Sequence, residues 1–282
     1  MERHAFRAMG TDIELLLEAP ASAQSHAAFA TVEEEFERLE AILSRFRPES
    51  ELSALNREGT LTVSVELQHV LELALEARER TNGRFDPTVH EALVAAGYDR
   101  SFELVARESD QNGAPASVRC GGRVELDPAT GRVELEQGFR LDFGGIGKGY
   151  AVDQAVQVLA TAGPCLVSAG GDLAVRGDRV WPIGVEDGPT LGLDRGAIAT
   201  SGRDRRRWRR GGEERHHLID PASGRPAASD LLRVTVVASS AVEAEVLAKS
   251  LFIGGEQEAL AAGVPAVLAT ADGRTLLTGG IA

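Results

Sequence analysis

Apolar and polar residues alternate in DIELLLE, residues 12–18, which sets Ile13, Leu15 and Leu17 on one face and predicts a half-buried strand. The period then lengthens. Val32, Phe36, Leu39, Leu43 and Phe46 recur at spacings of four and three, with Glu33, Glu34 and Glu37 on the wet side, which predicts an amphipathic helix. A second helix is predicted from Glu66 to Arg80, stopping at Asn82-Gly83, a pair suited to a C-terminal cap. RVEL occurs at 123–126 and again at 132–135, with turn residues Pro128 to Gly131 between, which predicts a hairpin. A helix is expected through Leu159, and short Gly-broken strands in CLVSAGGDLAVRG and VWPIGVEDG. RVTVVASSAVEAEVLAKSLFIGG reads as strand, Ser cap and helix, and 264–270 with 274–278 as a closing strand pair around Asp272-Gly273. Strands and helices mix without regular βαβ alternation, so the expected class is α+β with antiparallel pairing. No linker or low-complexity stretch divides the chain, which reads as one domain over 1–282 with room for two closely joined lobes.

Composition narrows the partners. With 282 residues, 43% of them hydrophobic, the chain can bury a substantial core. A net charge of -13 argues against non-specific nucleic-acid binding, which depends on Lys and Arg at the phosphates, and against attachment to anionic membranes. The two cysteines, Cys120 and Cys165, lie far apart and outside any metal-ligand spacing, so both read as small buried hydrophobes. No apolar run is long enough to span a bilayer, and MERHAFRAMGTDIELLLEA carries neither a signal-peptide core nor a lipid-attachment cysteine. The expectation for the chain as given is a cytoplasmic location without membrane insertion.

The segment LDFGGIGKGYAVDQA, 141–155, poses the chemical question: bare backbone, one lysine, then a helix. A P-loop frame, GxxxxGK[ST], does not fit because Gly149 follows Lys148, and the spacing of Gly145, Gly147 and Gly149 is not that of a dinucleotide fingerprint. Two readings stand. Glycines and helix-start amides can admit an anion, with Lys148 adding charge. Alternatively, this is a tight turn from strand to helix.

FRAMGTDIEL (6–15), LSRFRPESELSALN (43–56), NGRFDPTV (82–89), DFGGIGKGYAVD (142–153), LVSAGGDLAVRG (166–177), IATSGR (198–203) and HHLIDPASGRP (216–226), in this order, resemble the ApbE family. The resemblance runs from about Phe6 to the C-terminus. It implies a T-fold-like α+β architecture of mixed, mainly antiparallel sheets with packed helices. It also implies an FAD:protein FMN transferase, a flavinylation enzyme that cuts FAD at its pyrophosphate. The FMN is then attached by a phosphoester bond to a Thr or Ser of an acceptor protein. By the same resemblance Met9, Phe46, Arg84, Phe85, Asp86, Asp142, Lys148 and Ile219 address the flavin nucleotide. His217 and Asp220, in HLID, match the HxxD segment, with His217 the candidate general base on the attacking hydroxyl. Phe46 stands where the family usually has Tyr, Arg84 where it has Ala, and Ser223 where Thr is common. His216 is expected to face solvent.

The resemblance further implies a magnesium site from the backbone carbonyl of Gly145 and from an Asp and a Thr at a helix start. The aligned stretch here is AEVLAK, 244–249, with Glu245 for the Asp and Lys249 for the Thr. Two readings compete: an ordinary i,i+4 pair at a core boundary, or a lysine projecting toward the metal position and repelling Mg²⁺. Both imply weakened metal binding, so two other functions stay open: FAD binding without transfer, and hydrolysis of FAD to FMN and AMP. RDRRRWRR, 203–210, reads as a basic hairpin tip or loop paired with acids such as Glu213 and Glu214, or as a docking point for an acidic partner.

Overall fold

The computed structural model describes residues 1–105, 108–109 and 117–281. The chain divides into two compact units: Met1–Glu40, Ile146–Ser201 and Asp230–Ala282 in the first, Ala41–Gly145 and Gly202–Ser229 in the second.

The first unit is built on an eight-stranded sheet whose spatial order follows the chain: Glu2–Ala8, Thr11–Leu17, Cys165–Ala169, Asp172–Arg176, Gly196–Gly202, Leu231–Ala238, Ala266–Thr270, Thr275–Thr278. The first five strands pair antiparallel in sequence, as do the last three. Ile13, Leu15 and Leu17 are buried at 1% exposure or less, as the alternation requires. The helix α1, Ala23–Leu43, carries Phe36 and Leu39 fully buried. It starts nine residues before Val32 and stops before Phe46.

The second unit carries α2 (Glu51–Glu58), α3 (Val65–Arg80) and α4 (His90–Ala96). Helix α3 ends close to the expected point, with Asn82 and Gly83 both at positive φ. The RVEL repeat forms the predicted hairpin, Val124–Asp127 against Arg132–Leu135, extended by Thr60–Thr62. A second hairpin, Arg207–Arg210 with Glu213–His216, is joined in parallel by Glu108–Ser109. Ile219–Asp220 pairs with Arg225–Pro226.

Two further helices of the first unit position its charged groups. Helix α5, Gly147–Leu159, packs on the Cys165–Ala169 and Asp172–Arg176 strands; α6, Ala241–Gly254, packs on Leu231–Ala238 and on α5. Ser240 caps α6 by accepting from the Glu243 amide, as the sequence predicts. Asp153 of α5 accepts from the Ala241 and Val242 amides at 2.7 and 3.0 Å. The two helices touch at Gly149: a Cβ there would lie 2.8 Å from the Ala241 carbonyl oxygen and 2.9 Å from Val242 N. Only glycine allows this approach without shifting backbone. No helix among the described residues is long and apolar enough to cross a membrane. A short α7, Glu256–Ala261, follows α6.

Candidate functional site

The predicted site residues are shared between the two units. Met9, Lys148 and Glu245 belong to the first. Phe46, Arg84, Phe85, Asp86, Asp142, Gly145, His217, Ile219 and Asp220 belong to the second.

In the first unit, Met9 and Gly10 form the two-residue turn between the first two strands, with φ of 50° and 66°. Positive φ at both central positions is the mark of a type I′ hairpin, and a non-Gly residue pays strain to adopt it. The Met9 amide is held by Glu40 Oε2 at 2.9 Å. Lys148 lies in the first turn of α5, its side chain 14% exposed. It donates to Asp172 and, at 2.8 Å, to Glu245 Oε1. Glu245 Oε2 accepts from the Gly149 amide at 3.0 Å, so the anion drawn to this helix start is a carboxylate of the protein itself. Lys249 Nζ stands 3.9 Å from Glu245 Oε1.

This arrangement corrects the core-boundary picture. Glu245 is wholly interior, its side chain 4% exposed, and its close partner is Lys148; the i,i+4 contact to Lys249 is the longer one. Burial pushes the Asp172 carboxyl up to about 6, helped by the charge of Glu245 and opposed by Lys148. For Glu245 burial acts upward too, but Lys148 and Lys249 prevail and hold it below the usual carboxylate range.

A divalent cation does not fit this donor set. Both Glu245 oxygens already accept from N–H groups, and two ammonium groups stand at the carboxylates. Among the described residues no group of three or more His, Cys, Asp or Glu side chains could hold a metal ion. The implied ligand Gly145 lies in the turn before α5 and closes the second unit.

In the second unit the arrangement centres on Arg45, a residue to which the sequence assigns no role. Its side chain is 5% exposed, and the guanidinium pairs through Nε with Asp142 Oδ2. Nη2 donates to the Tyr98 carbonyl at 2.7 Å, and Cζ sits 4.1 Å from the Phe46 ring centroid and 4.8 Å from that of Tyr98. Asp142 Oδ1 accepts from the Gly144 amide at 2.8 Å, folding the start of the glycine turn back on itself. Ile219 is buried beside Tyr98 and Trp208, and Phe46 packs against the same cluster. Phe46 and Ile219 thus share one cluster with Tyr98, and Arg45 ties Asp142 to it.

Asp86 is buried and accepts from Thr88 twice, from its amide at 2.8 Å and its hydroxyl at 2.7 Å, with Arg78 Nε 3.7 Å away. Thr88 Oγ1 in turn accepts from the amides of Gly121 and Gly122 at 2.9 and 3.2 Å. Phe85 is buried at 3% exposure, while Arg84 is half-buried. Cys120, half-buried, and Cys165, fully buried, are both free, and burial drives each thiol up to about 12, which leaves them inert.

His216 is not solvent-facing. It is 5% exposed, Nε2 is 3.1 Å from the Ala227 carbonyl, and Nδ1 accepts from the Leu218 amide at 3.3 Å. The pair of bonds fixes the neutral tautomer with its proton on Nε2, and burial lowers the pKa to about 4. His217, next in the chain, is half-buried with Nδ1 turned inward. Asp220 is half-buried and accepts from the Ala222 amide at 3.0 Å, closing the turn that contains Ser223.

Arg45, Thr88 and Asp172 thus escaped the sequence reading. Asp172 had a signal: it follows Gly170-Gly171 at the start of a strand, where a carboxylate meets backbone turned by glycine.

The profile of the ApbE family matches residues 9–266. A FAD:protein FMN transferase of Treponema pallidum is 30% identical over 297 aligned positions, covering 92% of this chain and 82% of its own length. One from Haemophilus influenzae is 27% identical, covering 82% and 75%. Among solved structures, the ApbE protein of Thermotoga maritima superposes with a TM-score of 0.83 at 24% identity, over 98% of this chain and 96% of that one. The flavin transferase ApbE of Vibrio cholerae does so at 0.79 and 25% identity, over 98% and 96%. The mixed, mainly antiparallel α+β fold expected from the sequence is therefore the ApbE fold, and the chain belongs to the ApbE family.

Proposed function

We propose that this protein is an FAD:protein FMN transferase. The observation that carries the reading is the family match over residues 9–266, which spans the segments containing Met9, Asp142, Lys148 and His217. In the proposed reaction a Thr or Ser hydroxyl of the acceptor protein attacks the phosphorus of the FMN half of FAD. An O–P bond to the acceptor forms, the bridging P–O bond of the pyrophosphate breaks, and AMP leaves with the electron pair. The hydroxyl proton passes to the imidazole of His217. His216, held neutral by two backbone bonds, fixes the backbone on either side of His217 and leaves that ring to act. Phe46, half-buried against the cluster that holds Ile219, offers the aromatic face for a flavin in this reading.

The test is incubation with FAD, with and without a Thr-bearing candidate acceptor, followed by a denaturing gel read for flavin fluorescence and chromatography for FMN and AMP. Acceptor-bound flavin with release of AMP is the expected result, and a His217→Ala variant should be slower by roughly 10²–10⁴-fold. Free FMN with AMP irrespective of acceptor would make the protein a hydrolase. FAD bound and returned intact would make it a flavin carrier.

A further inference from the structure

Four charged side chains of the first unit meet in its interior: Lys148 from α5, Asp172 from the sheet, Glu245 and Lys249 from α6. Their side chains are 14%, 3%, 4% and 17% exposed. Two buried carboxylates sharing a lysine resemble the start of an oxygen cage for a hard cation. Three details oppose that use. Lys148 bridges both carboxylates, the Gly149 amide takes the remaining Glu245 oxygen, and Lys249 adds a second ammonium 3.9 Å from Glu245 Oε1. With Lys148 alone the group would carry one net negative charge; Lys249 makes it neutral. An incoming divalent ion would then meet no net attraction, and at these separations in a weakly polarisable interior it would be repelled by both ammonium groups.

We infer that Lys249 is a built-in cation that closes this carboxylate pair to divalent metals, so that the protein binds FAD without one. The second half of the inference rests on the flavin-transferase reading; the first half does not. Lys249 is a positioning and specificity residue here: it sets the charge state of the Glu245–Asp172 pair.

Two measurements on the intact protein test it. The first uses Mn²⁺ alone, read by the loss of its free-ion electron paramagnetic resonance signal. Wild type should bind no Mn²⁺ up to about 1 mM, weaker than the usual protein carboxylate sites. Lys249→Thr, with Lys249→Gln as the size-matched second variant in case the first folds poorly, should bind at least about tenfold more tightly. The second measurement titrates FAD by flavin fluorescence in EDTA and again in excess Mg²⁺. Wild type should give the same affinity in both, and Lys249→Thr should come to prefer Mg²⁺.

The inference is overturned if wild type takes up Mn²⁺ at micromolar concentration and loses it in Glu245→Gln. It is equally overturned if neither Lys249 variant binds Mn²⁺ better than wild type, or if Mg²⁺ tightens FAD binding to wild type tenfold. Absence of FAD binding in either buffer would instead overturn the flavin-transferase reading and the FAD half of the inference with it, while the Mn²⁺ measurement still decides the role of Lys249.

Discussion

The two units bury carboxylates in different ways. In the second unit each buried aspartate has an arginine of its own and at least one local donor. Asp142 has Arg45 and the Gly144 amide, and Asp86 has Arg78 and both donors of Thr88. In the first unit two carboxylates share Lys148, with Lys249 standing by. The chemistry of the two cations explains the contrast. A guanidinium is a planar fork, and Arg45 uses that shape to serve Asp142 and the Tyr98 carbonyl while lying over two rings. An ammonium is a compact point charge on a flexible stem, able to bridge partners whose geometry a fork would not match. The second unit thus holds its site residues by directional bonds, the first by charge balance.

Removing the shared lysine should break this comparison most severely. Lys148→Met leaves Glu245 and Asp172 buried with the Gly149 amide on Glu245 and the more distant Lys249 ammonium. Losing one partner of a buried ion pair typically costs about 3–5 kcal/mol, and urea unfolding at neutral pH should show a loss of that order. A loss under about 1 kcal/mol would mean that water reaches the carboxylates and that the charge-balance account is wrong. Arg45→Lys sharpens the other side. The charge survives, but the bond to Tyr98 and the stacking on Phe46 do not, so a loss of about 1–3 kcal/mol is expected although Asp142 keeps a cation.

A pH titration probes the second unit through a group that is buried neutral. The His216 pKa falls from 6.5 to about 4 because burial disfavours its charged form. The unfolded chain therefore binds the proton more readily than the folded one. The resulting contribution to stability is complete above about pH 6.5 and is lost as pH falls from there toward 4, on the order of 3 kcal/mol in all. His216→Gln should flatten this part of the stability profile. An unchanged slope between pH 6.5 and 4 would show that His216 is already charged or solvated in the folded protein.

Periodicity carried most of the fold. The alternation of Ile13, Leu15 and Leu17, the RVEL hairpin and the Ser240-capped helix were legible because each depends on residues near in sequence. The start of α1 was not, since the stretch before Val32 carries few large apolar residues and is helical by continuation. The family's motifs name the segments from which the candidate site is drawn, but the partners of their residues are not legible in them. Lys148 meets Asp172 and Glu245 across 24 and 97 residues of chain, and nothing local in DFGGIGKG announces that its lysine is already paired. His216 departs from the solvent-facing expectation because strand pairing with Arg207 and the contact to the Ala227 carbonyl bury it, although its neighbours Glu213 and Glu214 are exposed.

The basic hairpin marks the small end of the scale and separates charge that is held from charge that is only near. Within RDRRRWRR the strand alternation turns Arg207 and Arg209 outward and Trp208 inward, where its Nε1 donates to the Ala96 carbonyl at 2.9 Å. Arg207 reaches Glu214 across the hairpin at 3.3 Å, but the two side chains are 56% and 49% exposed. Water screens such a pair, and ordering two long side chains offsets most of the attraction. Arg207→Ala should therefore change stability by no more than about 0.5 kcal/mol, with a further reduction in salt dependence as the check. A loss above about 1 kcal/mol would place this hairpin with Lys148 and Arg45 among the structural ion pairs. A negligible one leaves the arginines as solvated charge on a strand whose anchor is the tryptophan.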